Sequence, residues 1–404
     1  MNKPRSLLAI GLMSGTSADG VDAALVRILP GERAQVETLG FHTTPYPKDL
    51  RKRLLLAAGE EGARTDEICA LHREVGEAFA KAALEVASRS DTPLEKIDFI
   101  GSHGQTVRHL PEGMEGTHGP LLPSTFQIGD PAFIAQRTGI TCVSDFRSRD
   151  VAAGGAGAPL TPWAHRILFS RENAASAFLN LGGISNITYL PPAGEEGVFG
   201  FDCGPANMTL DALARRITNG EKTHDTGGDL AAAGRVCPET LAELRRHPYL
   251  KRKPPKSTGR EMFGDTFVNE TTERMAARGS ELKDAIATLT AFSASCVADA
   301  IRDFIPTDPP LAEVVVGGGG VHNYTLMRRL REALGNQTLV KSDARGVSPD
   351  AVEAVCFALL ARGTLTGGAN NLPSVTGARE AVCLGNITQG RNFASLMRRF
   401  LISM

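Results

Sequence analysis

Three stretches of this 404-residue chain set glycines with amides or carboxylates, and in the first two hydroxyls as well, where an apolar run ends. They are Gly15-Thr16-Ser17-Ala18-Asp19-Gly20, Gly182-Gly183-Ile184-Ser185-Asn186, and Gly317-Gly318-Gly319-Gly320 with Val321-His322-Asn323. Such turns offer backbone N–H groups and hydroxyls to an anion, and Asp19 and Asp22 offer carboxylates to a cation and its waters. Any one of them could be turn chemistry alone. Three exits of one design suit a nucleotide, two around its phosphates and the third under base or ribose. None has the GxxxxGK[ST] spacing, which excludes a P-loop, and none has GxGxxG with an acid about twenty residues on, so a Rossmann site is poorly supported. Asp202 ends an apolar run before Cys203-Gly204-Pro205. A carboxylate there can serve as a general base, or merely cap a helix or close a turn. Arg147 suits a carboxylate and Asp150 a hydroxyl, unless the two form a structural ion pair. His103, Gln105 and Glu353 are weaker candidates, Glu353 serving equally as a charge at a helix N-terminus. The basic stretch Arg245 to Arg260 reads as a solvated loop, or as an anion lid containing Lys256 and Ser257.

The elements that must hold these residues read as α/β. Leu7–Leu12 and Val21–Ile28 form a hairpin, with glycines expected at the φ > 0 positions of its tip. Thr65 caps a helix with Ile68, Leu71, Val75, Phe79 and Val86 on one face. The stretch from Pro111 to Pro123 reads as a mobile loop, and 146–162 as a loop whose small residues permit close approach. Around Arg171 the design restarts: strand Ala177–Leu181, a glycine turn, strand Ile187–Leu190, then strand Val198–Asp202. Asn207 is expected to cap the next helix, and Pro349 to open the helix that carries Glu353. Two similar lobes follow, 1–170 and 171–404, with the last helix free to return to the first and both hairpin tips at a cleft between them.

Composition narrows the class. Net charge is −1, which gives no footprint for nucleic acid or an anionic membrane. The seven cysteines are scattered singly, so neither a zinc site nor a disulfide framework is expected, and a reducing cytosol fits. Lys3 and Arg5 precede an apolar run, but that run is short and ends in SGTSADGVD, unlike a cleaved leader. A soluble, cytoplasmic protein with no membrane partner is expected.

GLMSGTSADGVDAALV, SHGQTVRH, FQIGDP, SDFRSRDVAAGGAGAPLTP, LNLGGISNIT, FDCGPAN, PPKSTGRE, VVVGGGGVHN and PDAVEA occur in one order along nearly the whole chain. Together they resemble the successive motifs of the anhydro-N-acetylmuramic acid kinases. The resemblance implies a two-lobed actin/Hsp70/sugar-kinase fold, ribonuclease H-like, with a central cleft. It implies ATP and Mg²⁺, a homodimer, and a reaction in which water opens a 1,6-anhydro amino sugar while O6 receives the γ-phosphoryl group. The product would be N-acetylmuramic acid 6-phosphate, formed in peptidoglycan recycling. Gly15, Thr16, Ser17, Ala18, Asp19, Gly20, Val21 and Asp22 then match the phosphate hairpin, with Asp19 and Asp22 toward Mg²⁺. Gly182, Gly183 and Asn186 serve the second hairpin, and Gly318, Gly319 and Asn323 the adenosine turn. Asp202 matches the base, and His103, Gln105, Arg147, Asp150 and Glu353 face the sugar. Cys203 and Ala206 stand where the family usually has threonine and glycine, His224–Gly228 keeps the family's acidic pattern only in part, and the Glu112–Pro120 loop is longer than usual. An ordinary hexose kinase is the alternative within the same fold.

Overall fold

The computed structural model describes residues 6–29, 35–59, 62–116 and 119–403, so Lys3, Arg5 and the centre of the 112–120 loop lie outside the described residues. The chain divides into unit 1, Met1–Leu168 with Gly346–Met404, and unit 2, Phe169–Arg345. The expected second lobe ran on to 404. The structure instead returns its last 59 residues, 346–404, to unit 1.

Unit 1 is built on strands β1 (Leu7–Ser14), β2 (Gly20–Ile28), β3 (Val36–Pro45), β4 (Phe99–Leu110), β5 (Met114–Gly116), β6 (Gly119–Leu121), β7 (Ser124–Ile128) and β8 (Cys142–Ser144). Its main sheet runs β8-β4-β1-β2-β3, closed beyond β8 by strand Asn386–Thr388 and with β7 paired to the far half of β4. The strands β1, β2 and β3 are antiparallel neighbours, while β4 lies parallel to β1. Alternation along β1 decides what each face meets. Ile10 and Leu12 point into the core formed with Leu71, Val75, Phe79 and Val86 of helix Thr65–Arg89. Gly11 points the other way, where a Cβ would stand 1.7 Å from Ala354 O, and Gly101 of β4 does the same against Phe357 O at 2.2 Å. Helix Val352–Leu365, buried at all but two of its fourteen positions, therefore lies with its backbone on the sheet. That close approach is why the C-terminal segment belongs to unit 1.

Unit 2 repeats the plan with β9 (Ala175–Leu181), β10 (Ile184–Leu190), β11 (Phe199–Pro205), β12 (Leu311–Gly317) and β13 (Leu339–Lys341). The order is β11-β10-β9-β12-β13, again an antiparallel trio with parallel strands added on the far side. Both units thus carry the ribonuclease H-like order. Helix Leu282–Phe304 is long and apolar enough to cross a membrane by length and composition, but 72% of its apolar window is buried inside the protein. It packs Phe292, Cys296 and Val297 into the cores of unit 2.

Local expectations fail in instructive places. Residues 146–152 form a helix, and the loop after β4 contains the hairpin β5–β6. Thr65 and Asn207 are first helical residues behind Arg64 and Ala206, so neither is the cap. Pro349 precedes its helix, which opens at Val352 after Ala351.

Candidate functional site

In unit 1 the β1–β2 tip is braced from three sides. The Ser14 hydroxyl lies 2.7 Å from both Gly20 O and Gln105 Oε1, while the Gln105 amide donates to Gly15 O at 3.0 Å. Arg51, which the sequence did not flag, donates to Ala18 O and Ser17 O and pairs with Asp19 at 2.6 Å. Those bonds consume carbonyls and leave the N–H face of the tip to other partners, apart from the Ala18 N–H on Gly15 O. The expected positive φ falls on Ala18 at 48°, not on a glycine. Gly20 is required for a different reason, since a Cβ there would meet Thr44 O at 2.4 Å.

Asp22 stands at the end of the hairpin ladder opposite Met13 and accepts from the Thr43 hydroxyl at 2.6 Å. Burial pulls its carboxyl above the ordinary range against that bond, and the charges of Asp350 and Asp19 push the same way. A cation is the group that would relieve this. Among the described residues no set of three or more His, Cys, Asp and Glu could enclose a metal. Mg²⁺ usually takes one or two carboxylates with waters and phosphate, and of the two expected carboxylates Asp22 is open to that role while Asp19 is paired with Arg51.

The sugar candidates of unit 1 sort themselves by what already occupies them. His103 is buried; its Nδ1 lies 2.8 Å from Gly104 O and its Nε2 accepts from Arg147 Nε at 3.0 Å. The ring is thus a neutral Nδ1–H tautomer, and burial together with the guanidinium holds its pKa well below the usual value. Arg147 also donates from Nη1 to Gly157 O at 2.8 Å. Burial holds it down to about 10, against the pull of Glu353 and then Asp150. Asp150, fully buried, accepts from Asn371 and the Thr376 hydroxyl on one oxygen and from Gly157 N–H on the other. It is not an ion-pair partner of Arg147 at bonding distance, and its lone pairs are spent on tying the 153–158 loop to the C-terminal segment. Glu353 sits in the first turn of its helix at an exposed position.

In unit 2 the β10–β11 register places Asn186 opposite Asp202 across a bulge. Three bonds fix Asp202. Its N–H donates to Lys256 O at 3.1 Å, its carbonyl accepts from Tyr249 OH at 2.8 Å, and Oδ2 accepts from Thr258 N–H at 2.9 Å. Among the described residues nothing donates to Oδ1. The Thr258 hydroxyl is buried and has no hydrogen-bond partner among the described residues. Burial raises the Asp202 carboxyl to about 6, with the Thr258 N–H opposing and Glu261 adding to the rise.

The second hairpin turn gives its carbonyls to the following helix: Gly182 O takes Asn207 N–H, and Gly183 O takes Ala206 and Met208 N–H. A Cβ at Gly182 or Gly183 would meet only ordinary contacts, at 3.5 and 3.6 Å, so crowding does not explain these glycines. Gly318 has φ of 83° and lies against Asn180 and Leu181, while Gly319 faces open space. Asn323 caps helix Tyr324–Leu334 through Leu326 N–H. Tyr249, Lys256 and Thr258 were missed as partners of Asp202, although the PPKSTGRE stretch marked their neighbourhood.

A family model described as anhydro-N-acetylmuramic acid kinase matches residues 7–390. The curated anhydro-N-acetylmuramic acid kinase of Caldanaerobacter subterraneus subsp. tengcongensis is 43% identical over 383 residues, covering 94% of this chain and 96% of that protein. The one from Bacillus thuringiensis subsp. konkukian is 41% identical over 384 residues, covering 94% and 98%. Among solved structures, component A of the Acidaminococcus fermentans (R)-2-hydroxyglutaryl-CoA dehydratase covers 87% of this chain and 97% of its own at 13% identity. Its TM-score is 0.44.

Proposed function

The chain belongs to the anhydro-N-acetylmuramic acid kinase family, and from that membership we propose how its residues divide the reaction. The enzyme transfers the γ-phosphoryl group of ATP to O6 of 1,6-anhydro-N-acetylmuramic acid, as a step in peptidoglycan recycling. O6 has no proton to give, because it is bonded to C1. Water therefore adds at C1, the C1–O6 bond breaks, O6 attacks phosphorus, and a base must take the water's proton. The product is N-acetylmuramic acid 6-phosphate.

Asp202 is that base, and the observation that carries the assignment is its geometry. One oxygen is pinned by Thr258 N–H, and the other takes no bond among the described residues, which leaves it to accept the water's proton. A carboxyl that ionises near 6 is charged at neutral pH yet basic enough to help, typically by about 10²–10⁴-fold. The N–H face of the Gly15–Gly20 tip and of the Gly182–Gly183 turn suits phosphate oxygens, and Gly318 and Gly319 suit adenosine. Mg²⁺, near Asp22 and Asp19, would neutralise charge on the phosphates when bound. Arg147 offers its remaining donors to the lactyl carboxylate, with His103 steering it. Gln105 and Asp150 act at one remove, bracing the hairpin and the 153–158 loop. The family resemblance also supports a cytoplasmic homodimer.

Turnover in heavy-oxygen water tests the reading. The label is expected on the anomeric hydroxyl of freshly formed product and not on its phosphate, the product being analysed before that oxygen exchanges with solvent. Label in inorganic phosphate would mean ATP hydrolysis. Phosphorylation only of sugars with a free 6-hydroxyl, without turnover of the anhydro sugar, would mean an ordinary sugar kinase.

A further inference from the structure

Lys256 is a lysine in the wrong place for an anion lid. Only 9% of it is exposed. Its ammonium lies 4.5, 4.9 and 5.5 Å from the ring centroids of Phe304, Tyr249 and Phe201, and donates to Leu250 O at 3.1 Å. A cation over aromatic faces is attracted to each ring, and shielding from water strengthens the effect. One of those rings, Tyr249, sends its hydroxyl to Asp202 O. The lysine's own carbonyl receives Asp202 N–H, and two residues on, Thr258 N–H holds the carboxylate itself. The cage and the three bonds to Asp202 are one structure.

We propose that Lys256 is an internal post: its caged ammonium anchors the 256–258 backbone and the Tyr249 hydroxyl against Asp202, fixing where the base points. It is a positioning residue and touches neither phosphate nor sugar. The proposal rests on Asp202 being the base. It also gives the charge a second effect. The groups around Asp202 and Lys256 are Glu261, Tyr249, Cys203, Cys296 and Asp303, and of these charges Lys256 is the one that favours the ionised Asp202. Removing it should let the Asp202 pKa climb further.

The test uses the whole enzyme with Mg-ATP and anhydro-N-acetylmuramic acid, and four variants: Lys256→Met, Lys256→Arg, Tyr249→Phe and Asp202→Asn. Lys256→Met keeps the stem and drops the charge. It is expected to lower kcat at least tenfold, leave KM for ATP and for sugar within about twofold, and move the acid limb of the kcat–pH profile to higher pH. Lys256→Arg should recover much of kcat and return the limb toward its original position. Tyr249→Phe, which keeps the ring and loses the bond to Asp202 O, should lower kcat several-fold with KM unchanged, and it serves if Lys256→Met does not fold. A rise in KM for ATP with unchanged kcat would make Lys256 a phosphate ligand and overturn the proposal, as would wild-type kcat and pH profile in both Lys256→Met and Tyr249→Phe. Asp202→Asn separates the two readings: near-normal turnover there removes Asp202 as base, whereas its loss alongside unaffected Lys256 and Tyr249 variants removes only the post.

Discussion

Asp202 holds a charge that its surroundings disfavour, and two measurable consequences follow with opposite signs. For catalysis, with Asp202 as the proposed base, the ionised form is the active one, so kcat should fall as pH drops through about 6. Asp202→Asn should lose at least about a hundredfold in kcat at neutral pH, with ATP and sugar binding by calorimetry little changed. For stability, a carboxyl whose folded pKa lies above its unfolded value favours the fold while protonated, below the unfolded pKa near 4. That contribution is lost as pH rises through about 6. Asn cannot ionise, so Asp202→Asn should be more stable than the parent at pH 8 by roughly 1–2 kcal/mol, with the gap closing toward pH 4 in urea titrations. A variant that is inactive and less stable at pH 8 would point to a structural carboxylate. At this scale the sequence singled out Asp202 by its motif, and the structure shows that residue held by three hydrogen bonds. The sequence was illegible where the side chain's partners come from afar. Asp150 has the right chemistry for a sugar hydroxyl, yet residues more than two hundred positions later occupy one of its oxygens and Gly157 N–H the other. Gln105 is taken by a hairpin some ninety positions earlier.

Glycines show how an element can be read correctly for the wrong reason. The hairpin tip was expected to need glycine for φ > 0, but Ala18 takes that conformation and Gly20 answers a steric demand from Thr44. Two glycines that packing does require, Gly11 and Gly101, lie inside strands. Each admits a carbonyl of helix Val352–Leu365 into space that a Cβ would fill. Gly11→Ala and Gly101→Ala should therefore each cost about 1–3 kcal/mol or more by overpacking, read as a lower urea midpoint at an unchanged slope. Gly183→Ala meets no such obstacle and should leave the stability within about 0.5 kcal/mol of the parent. If that turn receives phosphate, the same variant should raise KM for ATP. Equal destabilisation by all three would remove the distinction between glycines kept for packing and glycines kept for a ligand. The helix on these glycines was itself hard to place from sequence, because it is apolar on every side and so declares no face.

At the scale of the whole chain, the repeated strand order was legible because each hairpin announces itself twice, by apolar runs and by the polar tip between them. The assignment of 346–404 to unit 1 was not, because it depends on a contact between residues some 250–340 positions apart. The connectivity carries a prediction of its own. Unit 2 is one continuous stretch, 169–345, with its five-stranded sheet and the core around Phe178, Phe201, Phe263 and Phe292 all inside it. Unit 1 is split, and residues 1–168 alone lack the helix that covers Gly11 and Gly101. That helix brings Val355, Phe357, Leu359 and Leu360, all buried, and each large apolar side chain left in water forgoes about 1.5–3 kcal/mol. Against a typical net stability of about 5–15 kcal/mol, the loss is enough to unfold the unit. Fragment 169–345 should thus give a cooperative thermal transition by circular dichroism, while 1–168 should bind a hydrophobic dye and melt without one. Adding 346–404 as a separate chain, or joining it to residue 168 through a flexible linker, should restore a transition to unit 1. A cooperative melt of 1–168 by itself would show that its sheet is stable with one face bare, and that the C-terminal segment is held there without being needed.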